Sequence, residues 1–231
     1  MNCPVLSATI NGVFVGRIVD HWHGRPSSAI HKVAADGPQT VTKVGFDTDA
    51  QADLNVHGGP DKAIHHYAAD HYASWQSEGL LLSGTLPAAF GENLSTFGMN
   101  EETLCIGDIL TAGSATLQIS QGRQPCWKLN EHTGQKTMAY QFQKTGRTGW
   151  YYRILEPGII QVGDEIHLAS RPCPDWSIAK VTRARLTKRV GVEEAAHLSR
   201  LPELASGWRD AFRKMANGQL DEDTRKRLNP A

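Results

Sequence analysis

The chain has 231 residues, and its 24 Lys/Arg and 24 Asp/Glu cancel to a formal charge of zero, with 40% of residues apolar. That balance excludes a disordered chain and a whole-surface electrostatic grip on nucleic acid. No apolar run reaches the roughly 18 residues of a transmembrane helix. Residues 1–19 lack the basic start and unbroken apolar stretch of a signal peptide. Cys3, Cys105, Cys126 and Cys173 are scattered, with no C-x-x-C pair, which argues against a zinc knuckle or a disulfide scaffold. The expected setting is cytoplasmic, with reduced thiols. The zero charge is a cancellation: residues 1–170 hold 11 Lys/Arg against 16 Asp/Glu, and residues 171–231 hold 13 against 8.

Residues 4–19 mix β-branched residues around Asn11-Gly12, which predicts a hairpin. Residues 29–34, 40–46, 103–106, 109–112 and 115–120 also read as strands, the last by its alternation of apolar with small or polar residues. Gly107-Asp108 and Gly163-Asp164 each precede a short apolar run. Repeated short strands with glycine turns predict a mainly β fold, a barrel or an irregular sandwich. Helices are predicted over 69–78, with Asp70 capping and Gly79 ending it, and over 134–144. Pro172 and Pro174 mark a joint, dividing residues 1–172 from 173–231. Beyond it, 178–189, 192–201 and 206–218 predict three helices, with Ser177 and Ser206 as caps. Trp208, Phe212 and Met215 lie on one helical face. The polar tail DEDTRKRLNPA is expected to fray.

Three segments carry possible chemistry. In Gln121-Gly-Arg-Gln-Pro-Cys-Trp-Lys-Leu129 a cysteine follows a strand end and a rigid Pro125. Arg123 and Lys128 flank Cys126, and nearby cations favour the thiolate, the nucleophilic and metal-binding form. Residues 121–153 hold six cations against Glu131 alone. A soft thiolate in a basic frame suits a soft metal carried on an anionic organic cofactor; a buried structural cysteine with solvated cations is the other reading. In Val56-His-Gly-Gly-Pro-Asp-Lys-Ala63 the two glycines permit an anion-binding nest, with Lys62 adding charge and His57 able to shuttle a proton; a plain glycine turn fits equally. His65 and His66 are adjacent and point opposite ways on a strand. Phe90-Gly-Glu-Asn-Leu-Ser-Thr96 offers Glu92, Asn93 and two hydroxyls after a glycine, an inventory for recognising a heterocycle or an ordinary loop. His21 and His23 flank Trp22, as a metal pair or as surface. Gly146-Arg-Thr-Gly149 before Trp-Tyr-Tyr reads as a tight turn, with Arg147 a candidate to lie over a phosphate. Hydrolase, zinc-protease, P-loop and dinucleotide-fold motifs are absent.

Taken in order, VHGGPDKA, FGENLST, CIGD, QGRQPCWKL and GRTGWYYRILEPG resemble a MOSC domain, the family named for the carboxy-terminal domain of molybdenum-cofactor sulfurases. The basic tail resembles the three-helix extension of the YiiM group of that family. The resemblance implies a MOSC-type β-barrel over 1–172 and a small three-helix domain over 173–231. It implies molybdenum ligation by Cys126 and carries over Gly58, Gly59, Lys62 and Arg123 to the cofactor; Lys128 and Arg147 join them as cofactor contacts by their charge. His57, Glu92 and Asn93 are the candidates for proton delivery or substrate positioning. The family usually has proline before the arginine of the R-x-P-C motif; Gly122 stands there, which is expected to loosen the approach to Arg123.

The function implied is molybdenum-cofactor-dependent reduction of N-hydroxylated compounds, including hydroxylaminopurine bases, with electrons from a separate flavin-containing reductase. The partners expected are therefore a small substrate and that reductase, with neither membrane nor stable nucleic-acid binding. Two rivals stand beside it: a carrier of the cofactor or of a persulfide on Cys126, and a nucleic-acid or partner module in the basic helices.

Overall fold

Seven strands close into a barrel whose inward residues form most of the core. The computed structural model describes residues 6–52, 58–219 and 224–228. In chain order the elements are β1 (Ser7–Gly16), β2 (Lys32–Ala34), β3 (Gln39–Thr42), β4 (Gly45–Phe46), β5 (Ile64–Ala68), α1 (Asp70–Ser77), β6 (Leu94–Thr96), β7 (Ile109–Ala112) and β8 (Ala115–Gly122). There follow α2 (Lys128–Thr133), α3 (Met138–Thr145), β9 (Trp150–Glu156), β10 (Gly158–Ile160), β11 (Glu165–Ser170), α4 (Ile178–Thr187), α5 (Val192–Leu198), α6 (Ser206–Ala216) and α7 (Thr224–Leu228). Hydrogen bonding runs β11-β7-β8-β9-β5-β6-β1 and closes by the pairing of β11 with β1. Only β5 and β6 pair in parallel; the other barrel pairs are antiparallel. β2 extends β1 on the outside, and β10, β3 and β4 form a small second sheet.

Closure removes the exposed edges that short strands otherwise present. The interior is filled by Ile10, Val13, Ile64, Leu94, Leu110, Leu117, Ile119, Trp150, Tyr152 and Ile166, all at most 1% exposed. Buried His66 joins this core, its ring nitrogens 3.0 Å from the Tyr152 hydroxyl and 2.9 Å from Thr96 Oγ1. A second cluster, with Tyr67, Trp75, Phe90, Leu129 and Phe142, packs α1 and α3 beside the barrel.

Asn11-Gly12 does not turn the chain. β1 runs straight through it with a shift of register between Ile10 and Gly12, because a bulge absorbs the extra residue. Phe14 folds its ring where a side chain on residue 12 would be. Residues 103–106 are not a strand but a turn, touching the later chain through a bridge from Cys105 to Ser177.

The three predicted C-terminal helices are α4, α5 and α6. Ser177 caps α4 by accepting from the Lys180 amide at 3.2 Å. Ser206 does not cap α6; it is the first helical residue, and its amide donates to Asp61 Oδ2 at 3.2 Å. Ile178, Val181, Leu198, Trp208 and Phe212 belong to the same apolar cluster as the barrel strands. The core therefore continues without a break across residues 172 and 173. The tail also departs from expectation: Thr224–Leu228 is helical, and Trp127 N donates to Arg227 O at 2.9 Å. Among the described residues no helix is long and apolar enough to cross a membrane.

Candidate active site

β8 delivers the cysteine loop to one rim of the barrel. The strand ends at Gly122, and the Arg123 amide continues the pairing by donating to Gly149 O at 3.0 Å. The Arg123 side chain turns inward and donates to Phe90 O at 2.6 Å, leaving the residue 8% exposed. Cys126, a half-buried free thiol, follows just before α2. Lys128 opens that helix, and its buried side chain donates to Ser27 O at 3.0 Å. Arg123, Cys126 and Lys128 line one cleft together with Lys32, Asp49, Gln51, Lys62, His65, Gly91, Asn93 and Tyr151.

The floor of this cleft is a hydrogen-bonded lattice from distant parts of the chain. Lys32 and Asp49 meet at 2.5 Å, each side chain 6% exposed. Asp49 also accepts from Gly16 N at 2.7 Å and from Asn93 Nδ2 at 2.8 Å. Asn93 donates further to Phe14 O and accepts from the His65 amide. It thereby ties β1, β5 and Asp49 together and is a positioning residue, with its amide oxygen and nitrogen both engaged. Gly91 has φ 74°, and a Cβ there would stand 2.7 Å from the Ile30 side chain. That approach is open only to glycine.

Among the described residues the cleft presents four cations, Lys32, Lys62, Arg123 and Lys128, against the carboxylate of Asp49. Burial pushes the Lys32 ammonium below its ordinary range, with Asp49 opposing the shift. Burial, followed by the charge of Arg123, drives His65 well below the usual histidine value, so its ring is neutral at physiological pH; the Gly91 and Thr148 carbonyls offset this in part. Its ring lies 4.9 Å from that of Tyr151, whose hydroxyl is held protonated chiefly by burial.

Several expected site residues lie elsewhere. Glu92 is fully buried and does not line the cleft. It accepts from the Tyr72 hydroxyl, from Ala88 N at 2.7 Å and from Phe90 N at 3.1 Å, so it shapes the 88–92 turn. Burial raises its pKa. Arg147 also stands away: its guanidinium lies 3.6 Å from the centre of the Trp75 ring and pairs with Glu78 at 2.8 Å. In this structure neither side chain lines the cleft. Gly58 and Gly59 act indirectly. The Gly59 amide is taken by Gln51 Oε1 at 3.1 Å, so it does not form an open anion nest, and Gln51 Nε2 holds the Lys62 carbonyl at 3.2 Å. His57 lies outside the described residues. Gly122 does not loosen Arg123: a Cβ there would meet Thr182 Oγ1 at 2.0 Å and Trp208 at 3.2 Å, so the glycine admits α4 and α6 against β8.

Lys32, Asp49, Gln51, His65 and Tyr151 were not foreseen as site residues. Adjacent histidines on a strand necessarily face opposite sides; here His66 enters the core and His65 the cleft. Beside the cysteine, Trp127 packs on Trp22 at 5.4 Å, with Arg25 over its ring at 5.1 Å. His21 lies 5.4 Å from Trp22.

A closed seven-strand barrel with a rim cleft built from a thiol and cations defines the class, and the chain belongs to the MOSC-domain family. Residues 53–167 match the MOSC domain. Within that family the chain is similar to Protein YiiM of Escherichia coli, 41% identical over 69% of this chain and 71% of that protein. It is also 38% identical to a protein of Gibberella moniliformis called Reductase, over 78% of this chain but 32% of the longer fungal protein. The crystal structure of YiiM from Geobacillus stearothermophilus superposes with a TM-score of 0.75 at 30% identity, covering 90% of this chain and 99% of that one.

The residues present fit a molybdenum cofactor. Cys126 offers a soft thiolate donor for the metal, and the three cations beyond the Lys32–Asp49 pair suit an anionic, phosphate-bearing pterin. Among the described residues no group of three or more His, Cys, Asp or Glu could hold a metal by itself. Among the described residues, Cys126 is the cleft thiol that would hold such a metal.

Proposed function

We propose that this protein is a cytoplasmic, molybdenum-cofactor-dependent reductase of N-hydroxylated compounds, hydroxylaminopurine bases among them. In the overall reaction R–NHOH takes two electrons and two protons, the N–O bond breaks, and R–NH2 and water leave. The electrons come from a separate flavin-containing reductase. The observation that carries this reading is the free Cys126 thiol at a cleft where, among the described residues, Lys62, Arg123 and Lys128 add positive charge beyond the Lys32–Asp49 pair. Similarity to YiiM and to a fungal protein called Reductase supports a redox role.

When bound, the cofactor supplies a two-electron redox centre; the protein supplies binding, orientation and electrostatics. Cys126 ligates through its thiolate. Arg123, Lys62 and Lys128 neutralise the anionic groups, and Arg123 is fixed in direction by Phe90 O. The Asp49–Asn93 lattice keeps the floor rigid, so that little order has to be created on binding. His65, neutral, lines the cleft without adding a charge that would compete for the phosphate.

The test is turnover. Protein purified with its cofactor and supplied with a flavin reductase converts hydroxylaminopurine to the amine in many cycles per chain. A protein that carries molybdenum yet performs no turnover would instead be a carrier.

A further inference from the structure

The last described segment of the chain reaches back to Cys126. α7 lies about a hundred positions downstream, yet one of its residues holds both neighbours of the cysteine. The Arg227 guanidinium donates to the carbonyl of Pro125, and the Arg227 carbonyl accepts from the amide of Trp127 at 2.9 Å. The second guanidinium nitrogen donates to Gln143 Oε1 at 2.7 Å, which anchors the contact to α3. One residue later, Leu228 O accepts from Asn130 Nδ2 at 3.1 Å, and the Leu228 side chain packs against the Trp75–Phe142 cluster.

These contacts bear on the stretch between two anchors of the loop, where the Arg123 amide donates to Gly149 O and the Leu129 amide donates to Cys126 O, both at 3.0 Å. Pro125 has no amide hydrogen, and residues 123–126 belong to no helix or strand. Without the Arg227 contacts, the stretch between those anchors would sample more orientations of the thiol. A planar guanidinium that grips two acceptors at fixed angles selects one.

We propose that Arg227 is a positioning residue for Cys126, clamping the cysteine loop so that the thiol faces the cleft. This rests on the reading of Cys126 as the thiol of the site. It touches neither substrate nor cofactor, and its effect is exerted through Pro125 and Trp127.

The experiment is site-resolved alkylation of the full-length protein with iodoacetamide, read by peptide mass spectrometry. Cys105 and Cys173 are 4% and 8% exposed and report any general loosening of the fold. In Arg227→Ala the rate at Cys126 relative to Cys105 and Cys173 should rise by about fivefold, the weight of one hydrogen bond in a local opening equilibrium. Arg227→Lys keeps a donor for the Pro125 carbonyl and should lower the ratio again. A ratio that does not rise in Arg227→Ala, whatever the separate rates do, overturns the assignment, and so does a rise that Arg227→Lys leaves in place. This readout needs no cofactor. Failure of the clamp is therefore distinguishable from failure of the reductase reading, which turnover by the loaded wild-type enzyme decides.

Discussion

Gly122 and Thr182 occupy space that only one of them can fill: a Cβ on the glycine would stand 2.0 Å from Thr182 Oγ1. The barrel strand that leads to Cys126 is therefore matched to α4 at an atomic level, and the extension is part of the same packed body. Gly122→Ala should destabilise the fold by about 1–3 kcal/mol through overpacking. Thr182 Oγ1 is buried without a hydrogen-bond partner, so Thr182→Ala alone costs little. Combined, the two changes should recover most of the loss, because only the hydroxyl lies within 3 Å. Urea denaturation of both single variants and the double variant checks this; additive losses would contradict it.

Asp49 is the one carboxylate lining the cleft among the described residues. Asp49→Asn leaves the buried Lys32 ammonium without its partner and should cost about 3 kcal/mol at neutral pH. Burial already pushes the Lys32 pKa down. Without Asp49 it falls further, so the penalty should shrink as the pH is raised and Lys32 sheds its proton. Denaturant midpoints of wild type and variant between pH 7 and pH 9 should converge; a constant gap would exclude an electrostatic origin.

Glu92 should behave as a structural residue. Glu92→Gln loses part of the acceptor set that serves Tyr72, Ala88 and Phe90. A loss of about 2 kcal/mol in stability is expected. The kcat of the folded, cofactor-loaded variant should stay within about twofold of wild type, under about 0.5 kcal/mol of barrier. A selective collapse of kcat with normal stability would return Glu92 to the chemistry.

His66 sets an acid dependence of stability. Burial pushes its pKa down to about 3, against an ordinary value of 6.5. Between these limits the unfolded chain binds a proton that the folded one refuses, so stability falls as the pH drops below 6.5 and levels off near 3. The slope from this residue is at most about 1.4 kcal/mol per pH unit. His132, held to about 4 mainly by burial, adds the same sign over a narrower range. His66→Gln retains hydrogen-bonding groups toward Tyr152 and Thr96 but cannot titrate there. Its stability should decline more gently from pH 6 to pH 4 than that of wild type, and parallel curves would contradict the assignment.

The sequence was most legible where a pattern is local. Alternation over 115–120 yields β8, and the Trp208–Phe212 face yields α6, because period alone decides those cases. Asn11-Gly12 misled because the same dipeptide serves a hairpin or a bulge, and the choice depends on where β6 and Phe14 lie. At the site, Cys126, Arg123 and Lys128 were visible because they are neighbours in the chain. Lys32 and Asp49 were not, since their pairing arises only when β2 and the chain after β4 meet over Asn93. Glu92 and Arg147 drew attention by residue type and turned out to serve packing. The tail looked too polar to dock, yet Arg227 docks by polar contacts to main-chain atoms, which hydropathy does not register.

In the proposed reductase, Cys126 holds the metal of the redox cofactor. Wild-type protein and Cys126→Ser, each produced with the molybdenum cofactor available, should be compared for molybdenum per chain and for hydroxylaminopurine reduction in the presence of a flavin reductase. Wild type should carry bound molybdenum and sustain turnover, with both strongly reduced in Cys126→Ser and the fold intact. A Cys126→Ser protein that keeps its molybdenum and full activity would contradict that role of Cys126.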